Sequence, residues 1–238
     1  MGLGGRESGV IVKYLIVNAD DFGASHGIDR GIIEAHQRGV LTSTSLLVNA
    51  TASGEAAELS RSAPDLSVGL HADLRSELNA NAGPARLRGA LEAQLARFEE
   101  LLGRPPTHLD SHHNVHRDPR ALPEFLDLAR EQGLPLREHS AVRYFSKFYG
   151  QWSGKTHLEQ ISVESLARML EMEIKEGFTE LSCHPGYVDP DYSSGYSTER
   201  EAELRALCDP RIRQALAEQA IQLVSYHDLG KLVVSSAT

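Results

Sequence analysis

Short apolar runs alternate with amphipathic segments along most of this 238-residue chain. Residues 14–17 form one compact apolar run, and beyond Ser25 the residues Ile28, Ile32 and Ile33 recur at helical spacing. A strand of a parallel sheet that lies between two layers of helices is apolar on both faces, which matches these runs. About seven such βα units predict an α/β fold with a parallel sheet, either closed as a (β/α) barrel or doubly wound.

The predicted elements follow one another without a composition break that would separate two domains. Strands are predicted at residues 14–17, 41–48, 66–71, 107–110, 134–136, 179–183 and 221–225. One helix is predicted to follow Ser25, which would be its N-cap. Further helices are predicted at residues 52–62, 87–102, 122–132, 163–176 and 198–218. We expect one domain over residues 11–238, a length that single α/β barrels commonly reach. Residues 1–10 are Gly-rich, lack an apolar stretch of signal-peptide length and are expected to form a flexible leader.

Composition and charge argue against several classes of function. The net charge is -9 with no long basic run, so most of the surface would repel nucleic acid. Cys183 and Cys208 are too few for a disulfide scaffold and suit a reducing compartment. The longest apolar runs are of strand length, far short of a membrane span. We therefore expect a cytoplasmic protein with neither nucleic acid nor a membrane as a partner.

Side chains that can bind metals follow the ends of the predicted strands. They are Asp20, Asp21, His71, His108, Asp110, His112, His113, His116 and His184. The carboxyl ends of parallel strands gather on one face of a barrel or open sheet, where active sites lie. Residues spread from position 20 to position 184 are therefore expected to converge in space. This convergence is the strongest signal for a catalytic site that the residues themselves provide.

Each of these residues also has a structural interpretation. An aspartate after a strand, such as Asp20 or Asp21, commonly caps a turn or the next helix. A single histidine such as His71 is often a hydrogen-bonded structural residue. His184 could be an acid, a metal ligand or a structural residue, because its position after a strand does not choose among them. Cys183 as a nucleophile is a weaker hypothesis, because the residue lies inside an apolar run.

Residues 107–116 contain four histidines and are harder to interpret as a solvated loop. The segment begins on an apolar strand and ends shortly before Asp118, which can start a helix. Imidazole is the commonest nitrogen ligand for divalent metals, and Asp110 is well placed to orient a neighbouring ring through its N–H. A separate irregular segment, residues 139–158, is rich in aromatic residues. Its composition suits a loop that covers a site, and equally a satellite core beneath a long loop.

Several motifs taken together resemble one known family. They are residues 18–23 (NADDFG), 69–71 (GLH), 107–112 (THLDSH), 183–185 (CHP) and 225–228 (SYHD). With these motifs the chain resembles the YdjC-like carbohydrate deacetylases over most of its length. The resemblance implies a parallel (β/α) barrel of the glycoside hydrolase and deacetylase type. It also implies hydrolysis of an N-acetyl group on an amino sugar.

The family's functional residues transfer to matching positions of this sequence. The resemblance implies that Asp21, His71 and His112 bind a metal ion and that Asp20 is the catalytic base. His184 occupies the position at which related deacetylases keep a histidine acid. Three further residues are expected to orient the ligands or contact the substrate, namely Asp110, His116 and Arg200.

One divalent metal ion is the expected cofactor, and its identity stays open between two candidates. Two imidazoles and one carboxylate suit Zn²⁺ by ligand softness, whereas the resemblance implies Mg²⁺. The expected partner is an acetylated amino sugar, and a homodimer is left open. Two departures from the family's pattern bear on specificity. Asn114 stands where relatives often have a histidine, and the region 73–84 is shorter, which would leave the cleft more open or change which sugar fits.

Two rival functions remain at the level of the sequence. A metal-dependent hydrolase of another bond, such as a phosphoester, would need Arg or Lys near the cluster, and only Arg117 is close in sequence. A metal-stabilised sugar-binding protein without turnover is the second rival. The aspartate pair separates binding from catalysis, because binding needs Asp21 at most and hydrolysis also needs Asp20.

Overall fold

The computed structural model describes residues 12–190 and 192–235, so the expected leader at residues 1–10 lies outside the described residues. The strands are β1 (Lys13–Phe22), β2 (Ser43–Leu46), β3 (Ser67–Ala72), β4 (Leu109–Ser111), β5 (Arg143–Phe145), β6 (Gln151–Trp152), β7 (Lys155–Thr156), β8 (Gly177–Cys183) and β9 (Ile221–Leu223). The helices are α1 (His26–Arg38), α2 (Ser53–Arg61), α3 (Arg75–Asn79), α4 (Pro84–Leu102), α5 (Leu122–Gln132), α6 (Val163–Glu173), α7 (Thr198–Cys208), α8 (Pro210–Glu218) and α9 (Tyr226–Ser235). Short 3-10 helices cover His112–Arg117 and Leu158–Ile161. One domain over residues 11–238 stays a prediction.

Seven strands form one parallel sheet in the order β4-β3-β2-β1-β8-β5, with β9 beside the first half of β1. Asp110 on β4 and Glu180 on β8 are four strands apart, which is roughly 19 Å in a flat sheet. Yet Nη2 of Arg137 lies 2.8 Å from Asp110 and 2.6 Å from Glu180. One guanidinium can contact both only because the sheet is curled into a barrel-like form. The prediction of a parallel α/β barrel-type fold with about seven strands is confirmed.

Helix α1 shows how the sequence sets the elements around β1. The Ser25 side chain accepts a hydrogen bond from the Ile28 amide, as expected of an N-cap. Ile28 and Ile32 are buried against the sheet. Gly31 lies against the loop after β8, where a Cβ atom on Gly31 would be 2.5 Å from Cα of Gly186. Only glycine allows this helix and this loop to come so close.

The structure corrects two of the predicted elements. The helix predicted at residues 198–218 is two helices, because Pro210 lacks an amide hydrogen and begins α8, where Asp209 caps it by accepting from the Arg211 amide. The strand predicted at 134–136 is reduced to an isolated bridge between Leu136 and Leu109. None of the helices in the described part of the chain is long and apolar enough to cross a bilayer.

The aromatic segment 139–158 combines its two alternative interpretations. Phe145 and Phe148 are buried in the main core. Tyr144 and Tyr149 instead line a cavity at the carboxyl ends of the strands. The segment contains β5, which joins the sheet, and the β6–β7 hairpin, neither of which its sequence predicted. It is therefore both a part of the core and a wall of the cavity.

Candidate active site

The aspartate pair lies on a bulge in β1. Ala19 is in register with Thr44 and Phe22 with Leu46, so β1 has one residue more than β2 over this stretch. Asp21 has a φ of 71°, a left-handed conformation that is uncommon outside glycine. Neighbouring side chains of a regular strand point to opposite faces, whereas a bulge changes their direction. Asp20 and Asp21 consequently line the same cavity.

Asp21, His71 and His112 come together at the base of this cavity. Oδ1 of Asp21 lies 3.0 Å from Nδ1 of His112 and 3.5 Å from Nε2 of His71. The three candidate ligand atoms lie within 4.8 Å of one another. In spite of these short distances, the buried Oδ1 atom has no hydrogen-bond partner among the described residues. An unpaired carboxylate oxygen facing two imidazole nitrogens fits a metal ion as the missing partner.

The surroundings of this trio fix its orientation. Nδ1 of His71 donates to Asp110 at 2.6 Å, which leaves Nε2 directed at Asp21. Nη2 of Arg200 donates to Oδ2 of Asp21 at 2.6 Å and leaves Oδ1 free of it. Burial lowers the pKa of His71, but Asp110 and Asp20 more than offset this and raise it to about 10. The trio therefore lies where an added positive charge is favoured.

Arg137 holds the other aspartate of the pair. This buried guanidinium donates to Asp20 at 2.8 and 2.7 Å, and it also contacts Asp110 and Glu180. Burial raises the pKa of Asp20, but Arg137 and His71 outweigh burial and keep it below its usual value. Asp20, His71 and Asp110 are also close enough to form a metal site. Arg137 already supplies their cation, which argues against a second metal there.

Arg137 and Glu180 were missed at the level of the sequence. Arg137 directly follows the predicted strand at 134–136, so it lies at a strand end like the other candidates. Glu180 is a lone acid inside the apolar strand β8, and a charge in such a place needs a buried partner. The sequence therefore marks both positions as unusual, but it does not show that Arg137 and Glu180 are partners of each other.

His184 lines the same cavity and lies near Asp20. Its Nε2 atom is 3.9 Å from Oδ2 of Asp20, and its backbone N–H donates to Glu203. The Tyr149 and Tyr196 rings lie edge-on to the imidazole, each with a centroid 5.5 Å away. Burial lowers the pKa of His184 to about 4, although the neighbouring aspartates raise it. The ring is therefore neutral near pH 7 and would have to gain a proton during a reaction to act as an acid.

The remaining histidines of the 107–116 segment have different surroundings. His116 is buried, with Nδ1 2.6 Å from Oγ of Ser111 and Nε2 3.1 Å from Glu138. His116 thus holds the 3-10 turn that carries His112. His108 is buried and stacks on Tyr226, with ring centroids 3.9 Å apart. His113 lines the cavity next to His112.

The cavity that contains these groups has a volume of about 590 Å³, within the range of small-molecule sites. Polar and aromatic side chains line it, among them Arg75, Tyr144, Tyr149, Tyr192, Tyr196 and Arg200. Cys183 contributes nothing to it. Its buried thiol donates to the Asn18 carbonyl, and burial raises the pKa of Cys183 well above its usual value. A cysteine nucleophile therefore has no support in this site.

Comparison with protein families identifies the chain. A family model described as YdjC-like protein matches residues 14–218, which include every group of the cavity described above. The chain belongs to this family.

Two YdjC-like relatives match the chain over most of its length. A protein named carbohydrate deacetylase from Geobacillus stearothermophilus is 38% identical, with 92% of this chain and 99% of the relative covered. A chitooligosaccharide deacetylase from Serratia marcescens is also 38% identical, with 91% and 99% covered.

Two solved structures have a fold similar to that of this chain. A protein from Enterococcus faecalis, provisionally named for cellobiose-phosphate cleavage, is 30% identical, with a TM-score of 0.80 and 92% and 99% of the two chains covered. A family 4 carbohydrate esterase from Streptomyces lividans, solved with acetate, has a TM-score of 0.59 at 14% identity, with 89% and 91% covered. The second likeness concerns the fold alone.

Asn114 and the region 73–84, at which the sequence is expected to depart from the family's pattern, both contribute to the cavity. Asn114 lines it with a φ of 53°, and its Oδ1 atom has no hydrogen-bond partner among the described residues. The region 73–84 contains α3, whose first residue, Arg75, also lines the cavity. Arg75 is bound to Asp73, with Nη2 2.6 Å from a carboxylate oxygen.

Proposed function

We propose that this protein is a metal-dependent carbohydrate deacetylase that removes an N-acetyl group from an amino sugar, with a chitooligosaccharide as the substrate class. The observation that carries the proposal is the convergence of Asp21, His71 and His112 around an unpaired carboxylate oxygen, with Asp20 on the same cavity. The names of the two relatives at 38% identity support the reaction class and the sugar.

One divalent ion would be held by Oδ1 of Asp21, Nε2 of His71 and Nδ1 of His112. When bound, such an ion polarises the acetyl carbonyl and lowers the pKa of water. Two imidazoles and one carboxylate favour Zn²⁺, while Mg²⁺ remains the alternative that the family resemblance implies. Asp110 supports His71 through Nδ1, and Arg200 restricts Asp21 to one free oxygen. His116 supports the turn of His112 through Ser111.

Asp20 is the proposed base, and Arg137 is its positioning residue. The attacking water forms a bond to the acetyl carbon as Asp20 accepts one of its protons. Two hydrogen bonds from Arg137 hold the carboxylate in one orientation and keep it ionised. Pre-positioning of this kind is how a charged group serves as a base without reorganisation.

His184 is the proposed acid for the leaving nitrogen. The C–N bond breaks as the nitrogen receives a proton from Nε2, and acetate and the free amine leave. His184 would acquire that proton from Asp20, whose Oδ2 atom lies 3.9 Å away. His184→Ala should then harm amide substrates far more than an activated phenyl acetate, because a phenolate departs without a proton. Equal loss on both substrates at full metal occupancy would argue against this role.

The charge of the cavity argues against the phosphoester rival. Arg117 is bound to Glu138, and the arginines that line the cavity are also paired, Arg75 with Asp73 and Arg200 with Asp21. A phosphate dianion would find these cations already neutralised. A neutral acetamido group does not need an unpaired cation in order to bind.

The test of the proposed function is acetate release. The purified protein, dialysed against chelator and reloaded with Zn²⁺ or Mg²⁺ in parallel, is incubated with N-acetylated chitooligosaccharides. We expect acetate and free amine in equal amounts, and no release after chelation. Binding of the sugars with no acetate under either metal would favour the non-catalytic sugar-binding rival.

A further inference from the structure

A second cavity, also of about 590 Å³, opens beside the candidate active site. Tyr192 lines both cavities, so the two adjoin across this one side chain. The start of α1, the region around the start of α2 and the loop after β8 form the second cavity. The residues used below are His26, Gly27, Arg30, Glu55, Tyr187 and Tyr192.

The same two chain segments build both cavities. The segment that leaves β1 carries Asp21 into the first cavity and His26 into the second. The segment that leaves β8 carries His184 into the first and Tyr187 into the second. The second cavity is therefore continuous with the catalytic groups along the chain as well as in space.

The floor of the second cavity is held by backbone contacts. The Tyr187 amide donates to the Gly27 carbonyl at 3.0 Å, and the Gly27 amide donates to Asp189 at 3.0 Å. A Cβ atom on Gly27 would lie 2.7 Å from the Tyr187 carbonyl oxygen, so the two backbones are in direct contact. A larger residue at position 27 would push this loop away.

The lining of the second cavity suits a neutral polyhydroxylated ring. His26 and Glu55 form a pair at 2.5 Å with 60% and 39% of their side chains exposed. The Arg30 guanidinium lies over the Tyr187 ring, 5.2 Å from its centroid. An aromatic ring packs on the C–H face of a sugar, while carboxylate, imidazole and guanidinium groups can hydrogen-bond its hydroxyls. The mixture of acidic and basic groups does not select a charged ligand.

We propose that the second cavity is a subsite for a neighbouring sugar ring of the oligosaccharide whose acetylated unit reacts in the first cavity. This inference rests on the proposed function and extends it, because it identifies residues that would distinguish oligosaccharides by their length. Tyr192 lies where the chain would pass from one cavity to the other. Affinity should therefore rise from a single N-acetylglucosamine unit to a trisaccharide.

The test measures sugar binding separately from turnover. Metal-loaded protein carrying Asp20→Asn binds N-acetylglucosamine and triacetylchitotriose without consuming them, and calorimetry gives each affinity. In this background Glu55→Ala should weaken trisaccharide binding roughly five- to tenfold, as expected for loss of one partly exposed hydrogen bond. The monosaccharide is too short to report the change. Glu58→Ala is the matched control, because Glu58 is exposed on the same helix and outside the cavity.

A second pair of variants guards against a local effect at Glu55. Arg30→Ala should reproduce the loss, and Arg38→Ala, at the far end of α1, should not. Equal affinity of the parent protein for the two sugars, or equal behaviour of Glu55→Ala and Glu58→Ala, would overturn the subsite. If the wild-type protein releases no acetate while Glu55→Ala still weakens trisaccharide binding, the subsite stands and the proposed function fails.

Discussion

Two groups of buried acids lie side by side at the ends of the strands, and they differ in how their negative charge is compensated. In the first group, Arg137 contacts Asp20, Asp110 and Glu180 at 2.6 to 2.8 Å. The chain thus supplies its own cation, and that cation is fully enclosed.

In the second group, Asp21 is shared between Arg200 on one oxygen and two imidazoles on the other. The oxygen that faces His71 and His112 lies close to both but has no hydrogen bond among the described residues. Arg137 thus contacts all three acids of the first group, whereas Arg200 leaves one oxygen of Asp21 without a hydrogen-bond partner among the described residues, a position that suits an added cation. In the proposed function, the first group orients Asp20 and the second holds the metal ion.

The largest expected effect comes from Asp20→Asn, which removes the proposed base but leaves the second group intact. We expect turnover to fall on the order of 10²–10⁴-fold, because an amide cannot accept the proton of water. Metal content measured by mass spectrometry should stay unchanged. Near-normal turnover of the fully metal-loaded variant would show that Asp20 is not the base, and that the first group does not have the role proposed for it.

Arg137→Met tests the first group through stability. Three carboxylates would lose their buried counter-charge, so the free energy of unfolding in urea should fall by about 3–5 kcal/mol. Arg143→Met, at the exposed first residue of β5, is the matched control and should change this free energy by less than about 0.5 kcal/mol. A loss below about 1 kcal/mol for Arg137→Met would mean that the acids are neutralised in another way.

Asp29 extends the comparison to a buried acid with neither arginine nor imidazole support. It accepts the Gly23 amide at 2.6 Å, its other oxygen has no partner among the described residues, and burial raises its pKa to about 8. The stability that protonated Asp29 contributes is present below pH 4 and is lost as pH rises towards 8. Relative to Asp29→Asn, the wild type should lose up to about 1.4 kcal/mol per pH unit in that window.

Urea unfolding of both proteins at pH 5, 6 and 7 measures this difference. Asp65→Asn, on an exposed residue, serves as the control substitution. Parallel stability curves for wild type and Asp29→Asn would indicate that Asp29 is ionised at all three values and is paired in solution.

The smallest effect is expected from Asn114→His, which touches the rim and neither acid group. Histidine tolerates the left-handed backbone at this position nearly as well as asparagine. We expect kcat/KM for different chitooligosaccharide lengths to shift by roughly two- to tenfold relative to one another, the size of one hydrogen bond. Metal content and unfolding free energy should be unchanged. A loss of metal would place Asn114 closer to the ion site than the comparison allows.

Much of the fold was predictable because apolar periodicity is a local property. Helix α5 begins and ends at the predicted residues, 122 and 132, and the strand ends correctly located Asp21, His71 and His112 on one face. The roles of those three residues stay predictions. Strand β5 was missed because its burial is set by its pairing with β8 and not by any alternation within its own sequence.

The site was less predictable where it depends on distant partners. His116 was expected to support the ligands or contact the substrate, and only the structure shows that it holds the His112 turn through Ser111. The role of Arg137 could not be predicted for the same reason, because the three acids that it contacts lie on three different strands. The bulge that turns both aspartates towards the cavity cannot be predicted from the pattern of apolar and polar residues.

The contacts of Arg137 also determine when the active site can exist during folding. Asp20 and Arg137 are 117 positions apart, and Asp21 and Arg200 are 179 positions apart. Closing loops of this length costs entropy before any contact compensates it, so such pairings form late and slow a chain. A nascent chain that has emerged only as far as β5 has Asp20 and Arg137 but not Glu180. The proposed base, Asp20, therefore has its complete set of buried partners only after β8 has been synthesised, and a shorter chain lacks part of the site.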